Sequence, residues 1–484
     1  MEKKGQSALF TDYYALTMSQ GYWKHNPHRQ AVFEMSFRRQ PFGGGYTIFA
    51  GLGTLIENLA AFSFTDDDIE YIRNLGGFEE PFLEYLKNFR FSGSLWAVDE
   101  GTVVFPQEPL IRIKGTLIEC QIIEAMLLNT INFQSLVATK TRRVWLASGK
   151  GSIMEFGLRR AQGPDGAMSA SRAAFIGGAI GTSNTLAGKA FGIPVMGTMG
   201  HSWVMSFPDE EESFDAYGDL YPDRSVFLID TYDTLKSGVL NAIKAGRRLS
   251  EQGKKFGVRL DSGDIEYLSA EVRKMLDDAG FNDASITVSN ELDETIIETL
   301  VRQGAPVDTW GVGTNMVTGG NDAALTGVYK MSACEDKDGN LTPVMKFSDN
   351  PDKTTNPGIK QIWRLKDDQG SPVADVLALD GPDEVESFEH GSRLCFWHPS
   401  GDYRHFFHEI GTDPQPLLKM RLNKGQRQGP RLSLAEIRSF SGQELEIFDS
   451  TYKRILNPHI YKVSMTEKLR KMKLELINSF ANTM

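Results

Sequence analysis

Arg259 and Asp261 stand two residues apart at the end of the apolar run Phe256–Val258, which reads as a β-strand. Alternate strand residues share a side, so a guanidinium and a carboxylate face one way and Leu260 the other. The Arg fork suits a carboxylate or a phosphate, and the Asp suits ribose hydroxyls or a magnesium ion. The same pair also suits a buried ion pair that only orders the loop Asp261-Ser-Gly-Asp264, and Asp230 and Asp233 carry the same two readings. In Gly197-Thr198-Met-Gly200-His201-Ser202 a histidine sits beside glycines, where it can rearrange and act as base, nucleophile or phosphate acceptor. A lone histidine is more often structural.

Two further stretches suit anions. In Glu155-Phe156-Gly157-Leu158-Arg159-Arg160 two arginines can clamp an anion while Phe156 stacks on a planar ring; a solvated surface turn is the alternative. In Gly311-Val-Gly313-Thr314, continuing to Thr318-Gly319-Gly320, glycines after a strand let the backbone approach a phosphate and threonine hydroxyls add donors. No Gly-Lys-Ser/Thr follows, so this is not a Walker A loop, and a tight strand-to-loop turn reads equally well. Gly177-Gly-Ala-Ile-Gly181-Thr182-Ser183-Asn184 opens a helix N-terminus at the same face. The set fits a phosphorylated sugar together with a flat anionic ring.

The elements that must position these groups follow from the alternation around them. Apolar runs at Ser152–Phe156, Ile193–Met196, Val226–Ile229, Phe256–Val258, Ile286–Val288 and Thr309–Val312 each end in a polar cluster, with helical stretches such as Leu235–Leu249 and Ile265–Ala279 between them. Repeated strand–helix units imply parallel strands with right-handed crossovers. Chemistry gathered at strand C-termini predicts a (β/α) barrel over 150–332, with a doubly wound open sheet as the alternative. The segment 1–149 predicts a helix at Tyr13–Tyr22 capped by Thr11 or Asp12, strands at Ala31–Phe37, Tyr46–Ala50 and Leu110–Ile113, and one long helix over Ile118–Leu146. Turn clusters and short β-like runs at Gln361–Leu365 and Val373–Leu379 make 333–484 a β-rich segment, closed by an amphipathic helix at Met465–Phe480. Each flank alone is short of core, which suggests that the two combine into one composite domain around the barrel.

Composition narrows the function classes. The chain has 484 residues, 40% hydrophobic and 24% charged, with a formal net charge of −11. An acidic chain of this kind is a poor nucleic-acid binder, so an anionic ligand needs a local cluster of basic side chains and backbone N–H groups. The widely spaced Cys120, Cys334 and Cys395 suggest neither a disulfide framework nor a metal motif, and hence a reducing compartment. The N-terminus lacks the apolar core of a signal peptide and no 18-residue apolar run occurs, so the expectation is a cytoplasmic protein without membrane contact. His398, His405 and His408 lie among Trp397, Phe406 and Phe407, which reads as packing and not as a zinc site.

In this order the motifs resemble the nicotinate phosphoribosyltransferase family. They are Thr11-Asp-Tyr-Tyr14-Ala-Leu-Thr-Met18, Phe37-Arg-Arg39 with Pro41-Phe-Gly-Gly44, Glu155 to Gly166, Gly197 to Ser202, Asp230 to Asp233, Arg259 to Asp264, Gly311 to Thr314 and Lys353-Thr-Thr-Asn-Pro-Gly358. The resemblance implies a type II phosphoribosyltransferase, an irregular α/β barrel beside a β-rich domain built from both chain ends. The reaction would join nicotinate to phosphoribosyl pyrophosphate, giving nicotinate mononucleotide and pyrophosphate on the route to NAD, with ATP as co-substrate. It further implies that His201 is the phosphorylated residue and that Asp261 is catalytic. Phe156 would stack on the pyridine ring, and Tyr14 would close its other face from a neighbouring subunit of a homodimer. Arg259 and Thr198 would bind near the carboxylate. Arg159, Asp261 and the loop with Gly313, Thr314, Thr318, Gly319 and Gly320 would hold the ribose and its phosphates. Mg2+ would enter with the substrate, with Asp230 and Asp261 as candidate partners and no direct protein metal site.

Relatives and rivals separate on single residues. The similar nicotinamide-specific enzymes would place an Asp where this chain has Ser183, so Ser183 removes a repulsion toward a carboxylate and favours the acid. Quinolinate phosphoribosyltransferases are shorter, and these motifs do not fit them. A non-catalytic sugar-phosphate sensor would keep the Gly-Thr loop without needing His201 or the paired aspartates. An aldolase would need a lysine at a strand C-terminus, for which Lys330 after Val328-Tyr329 is the one obvious candidate.

Overall fold

A computed structural model of the chain describes residues 7–348, 353–381, 395–400, 404–406 and 414–481. Its backbone divides into two compact units. One takes the chain up to Leu136 and again from Ala324 onward; the other is Val137–Ala323.

The second unit is built on six parallel strands: β1 (Ser152–Glu155), β2 (Gly181–Thr182), β3 (Ser225–Leu228), β4 (Phe256–Leu260), β5 (Ser285–Asn290) and β6 (Thr309–Val312). They lie in the order β2-β1-β6-β5-β4-β3. The first of these strands is thus bonded to the last, as in a barrel; a doubly wound sheet instead reverses direction at a switch point. Closure is incomplete: β3 is an edge, and beyond β2 there is only an isolated parallel bridge from Thr182 to Val195. The strand expected at Ile193–Met196 shrinks to that bridge, because Pro194 cannot donate to a ladder.

Helices return the chain between strands, and short polar residues start them. Asp264 accepts from Tyr267 N ahead of Ile265–Asp278, and Asp293 accepts from Thr295 N and Ile296 N ahead of Glu294–Gln303. Phe214, Phe227, Phe256, Leu260, Val288 and Trp310 are buried between helices and strands.

The other unit holds a seven-stranded sheet in which Gln30–Phe37 lies antiparallel between Gly327–Glu335 and Ile111–Thr116, so both ends of the chain contribute. Phe33, Phe37, Leu95, Ile113 and Leu422 join its continuous apolar core. A six-stranded sheet includes Lys360–Lys366, Pro372–Leu379 and Lys462–Met465. The fold class is therefore the expected one, with local corrections. The long helix breaks at Ile123 into Leu117–Ile122 and Glu124–Ala147. Helix Tyr13–His25 has Asp12 at its cap position but no side-chain cap bond, and the Thr11 hydroxyl donates to Ile122 O and not to the helix. Lys330 lies inside the antiparallel strand Gly327–Glu335, not at the end of a parallel one, so the aldolase reading loses its lysine. His408 lies outside the described residues, as do the His405 side chain and its surroundings. No helix among the described residues is long and apolar enough to cross a membrane.

Candidate active site

A cleft of about 590 Å³ opens at the C-terminal ends of the parallel strands. Phe156 follows β1, Ser183 follows β2, Arg259 and Asp261 end β4, Ser289, Asn290 and Glu291 end β5, and Gly311, Gly313 and Thr314 end β6. Thr198, Gly200 and His201 reach it from the loop after Val195.

Arg259 organises the floor. Its Nε donates to Ser289 Oγ at 2.8 Å, Nη1 to Thr198 Oγ1 at 2.9 Å and to Met199 O at 3.3 Å, and Nη2 to Asp261 Oδ1 at 2.9 Å. The guanidinium lies 5.5 Å from the centre of the Phe156 ring, within cation–π range. Ser289 Oγ donates in turn to Asp261 Oδ1, and His201 Nε2 stands 3.6 Å from Asp261 Oδ2. Burial pushes the Asp261 carboxyl up, but the Ser289 hydroxyl, the Arg259 guanidinium and His201 outweigh it and hold it below the usual carboxylate range. Asp261 is thus ionised near neutral pH. Its backbone N–H donates to Asp230 Oδ2 at 2.9 Å, and the Ser262 hydroxyl donates there at 2.6 Å.

The aromatic wall is fixed from below. Glu155, 1% exposed, accepts from Gly157 N, Ser171 Oγ and Thr182 Oγ1, while its carbonyl accepts from Ser183 N at 2.9 Å. This buried carboxylate ties the turn that carries Phe156 to the one that carries Ser183. Phe156 N donates to Val312 O, and a Cβ on Gly311 would lie 2.7 Å from the Phe156 ring, so only glycine leaves the ring its place. Asn184 accepts from Ala187 N and starts helix Thr185–Phe191 at the expected face. Arg159 and Arg160 are exposed at the rim.

Of the residues singled out from the sequence, the cleft brings together Phe156, Arg159, Ser183, Thr198, His201, Arg259, Asp261, Gly313 and Thr314, with Asp230 bonded behind them. Thr318, Gly319 and Gly320 lie outside its lining; the Thr318 hydroxyl donates to Thr314 O and accepts from Gly320 N. Tyr14 belongs to the other unit, exposed on helix Tyr13–His25, with its hydroxyl donating to Glu124 Oε2 at 3.1 Å. Burial, then Glu124, pushes that phenol up to about 12. Ser289 and Thr231, both in contact with the central groups, were not singled out by the sequence. A lone serine or threonine at a strand end carries no signature of its own.

A parallel barrel with a cationic, aromatic-walled cleft at its strand ends defines an α/β-barrel enzyme for an anionic substrate. Residues 9–132 match the nicotinate phosphoribosyltransferase N-terminal domain, 152–370 the nicotinate phosphoribosyltransferase family and 359–473 the C-terminal domain. Nicotinate phosphoribosyltransferase of Bacillus subtilis is 40% identical over 480 residues, covering 98% of this chain and 96% of that one. The Homo sapiens enzyme of the same name is 33% identical, covering 97% and 96%. The crystal structure of human nicotinic acid phosphoribosyltransferase superposes with a TM-score of 0.84 at 31% identity, over 96% of this chain and 99% of that one. The chain belongs to the nicotinate phosphoribosyltransferase family.

Proposed function

We propose that this enzyme joins nicotinate to phosphoribosyl pyrophosphate, releasing nicotinate mononucleotide and pyrophosphate for NAD synthesis, with ATP hydrolysis coupled through His201. The observation that carries this reading is the Arg259 fork beside the Phe156 ring, with Thr198 and Asp261 bonded to the same guanidinium. A pyridine ring stacks on Phe156, and its carboxylate meets Arg259 and Thr198. Ser183 adds no negative charge on that side, which favours the acid over the amide.

Breaking the bond from ribose C1 to pyrophosphate builds positive charge on the sugar and negative charge on the leaving group. Asp261, ionised and held by Ser289, faces the sugar; Arg159, Gly313 and Thr314 face the phosphates. The Thr318–Gly320 turn borders them. Asp230 Oδ1 is buried without a hydrogen-bond partner among the described residues, so Asp230 with Asp261 fits a magnesium ion, which would neutralise pyrophosphate charge when bound. Phosphorylated His201 adds charge beside Asp261 and reorganises the loop that carries it.

The enzyme works as a cytoplasmic homodimer in which Tyr14 covers the pyridine ring of the neighbouring subunit. The exposure of Phe10, Tyr13, Tyr14 and Met18 supports this reading, as do three free cysteines. The test is pyrophosphate release from phosphoribosyl pyrophosphate with Mg2+, comparing nicotinate with nicotinamide, with and without ATP, for wild type and His201→Ala. Turnover of nicotinate, with ATP stimulation lost in the variant, is expected. A preference for nicotinamide overturns the Ser183 argument, and no turnover of either removes the activity.

A further inference from the structure

The His201 ring has two neighbours with opposite demands. Its Nε2 lies 3.6 Å from Asp261 Oδ2, while Nδ1 lies 3.1 Å from Thr231 Oγ1. A carboxylate favours an N–H on the nitrogen it faces, which leaves the Nδ1 lone pair to accept from the Thr231 hydroxyl.

The two partners are also held very differently. The backbone on both sides of Thr231 is pinned: Ile229 N donates to Arg259 O at 3.1 Å, and Asp230 Oδ2 accepts from Asp261 N and Ser262 Oγ. Asp233 Oδ1 accepts from Leu235 N and Lys236 N. The segment leading to His201 is held at Met196 N by Thr182 O and at Thr198 and Met199 by Arg259, but none of these bonds reaches the His201 ring. Residues 196–200 have no helix or strand, and nothing lies within 4 Å of where a Cβ on Gly197 would stand. Side-chain contacts therefore decide where the His201 ring points, and Thr231 supplies the hydroxyl contact from a fixed turn.

We propose that Thr231 is a positioning residue for His201, aiming its Nδ1 at the phosphoryl donor; the proposal rests on the phosphohistidine reading above. In the step it serves, the Nδ1 lone pair attacks the γ-phosphorus of ATP. The bond from that phosphorus to the bridging oxygen breaks, and its electron pair leaves with ADP. The Nε2 proton stays on the ring against Asp261. The Thr231 proton stays on Oγ and turns from Nδ1 to an oxygen of the transferred group, so the hydroxyl serves the ring first and the phosphoryl group afterwards.

The test compares wild type, Thr231→Val, Thr231→Ser and His201→Ala in two assays. One is phosphoenzyme formed from γ-labelled ATP; the other is the ratio of ATP-stimulated to ATP-independent nicotinate turnover. Loss of one such hydrogen bond corresponds to about a tenfold fall in the phosphorylation rate of Thr231→Val, with the turnover ratio falling alongside. Thr231→Ser keeps the hydroxyl and restores both to near the wild-type values. A merely structural role would lower the two turnover rates together and leave their ratio unmoved. That result, or wild-type phosphorylation in Thr231→Val, overturns the proposal while His201 keeps its role. Absence of phosphoenzyme in wild type, or its persistence in His201→Ala, removes the phosphohistidine reading and this proposal with it.

Discussion

Arg259 and Asp261 are joined twice, once directly from Nη2 to Oδ1 at 2.9 Å and once through Ser289 Oγ, which accepts from Arg259 Nε and donates to Asp261. Ser289 is 3% exposed, so its hydroxyl bonds to these two side chains with little competition from water. Ser289→Ala should loosen the fork and raise the KM for nicotinate by about tenfold, the worth of one or two buried hydrogen bonds. Steady-state kinetics check this: an unchanged KM would mean that the direct Arg259–Asp261 contact suffices.

Gly311 marks a second sensitive point. A methyl there would stand 2.7 Å from the Phe156 ring and 3.2 Å from Ser289 Cβ. Gly311→Ala should displace the ring and lower affinity for the pyridine substrate by about tenfold, since overpacking of this kind costs roughly 1–3 kcal/mol. Direct binding of nicotinate by calorimetry reads the effect, and wild-type affinity would show that the ring does not form the substrate wall.

Ser183 tests the choice between acid and amide. Ser183→Asp places a carboxylate in the cleft near the Phe156 turn. Repulsion in a partly dehydrated site should reduce kcat/KM for nicotinate by about a hundredfold, with a smaller loss for nicotinamide. Equal losses for both substrates would show that Ser183 does not sense the carboxylate.

A pH dependence follows from Lys473, which is buried with Nζ donating to Asn356 Oδ1 and Pro399 O. Burial, and then Lys360, push its amine down to about 8 from an ordinary value of 10.5. The folded chain therefore gives up this proton before the unfolded chain does. Between these two values the unfolded state binds more protons, so the Lys473 contribution to stability rises with pH. The difference in Tm between wild type and Lys473→Met should shift toward wild type as pH is raised from about 8 to about 10. Thermal denaturation across that range decides it; a constant difference would show that Lys473 titrates as an ordinary lysine.

The parts of this molecule legible in its sequence are those where one local rule decides. Arg259 and Asp261 share a side because strands alternate, and Gly311 and Gly313 announce a turn, which lines the cleft. Helices Leu52–Ala61, Asp66–Leu75 and Glu80–Lys87 were not read out, although Thr65 and Asp68 form a complete capping box. The break at Ile123 was invisible because apolar spacing continues through it. Ser289 and Thr231 escaped for a different reason: their importance lies in which side chains the fold brings to their hydroxyls, and those partners are distant in sequence.

The incomplete ring of strands divides the cleft into two kinds of support. Phe156 stands at the seam where β1 and β6 are bonded, so moving it means breaking ladder hydrogen bonds. His201 hangs from a loop on the opposite, unsealed margin, between the Val195 bridge and the free edge of β3. Swinging that loop leaves the six-stranded ladder untouched. The broken ring is thus stiff under Phe156 and open beside His201: the missing rung leaves one wall an anvil, while the loop on the other can be displaced at the cost only of side-chain bonds such as those from Arg259.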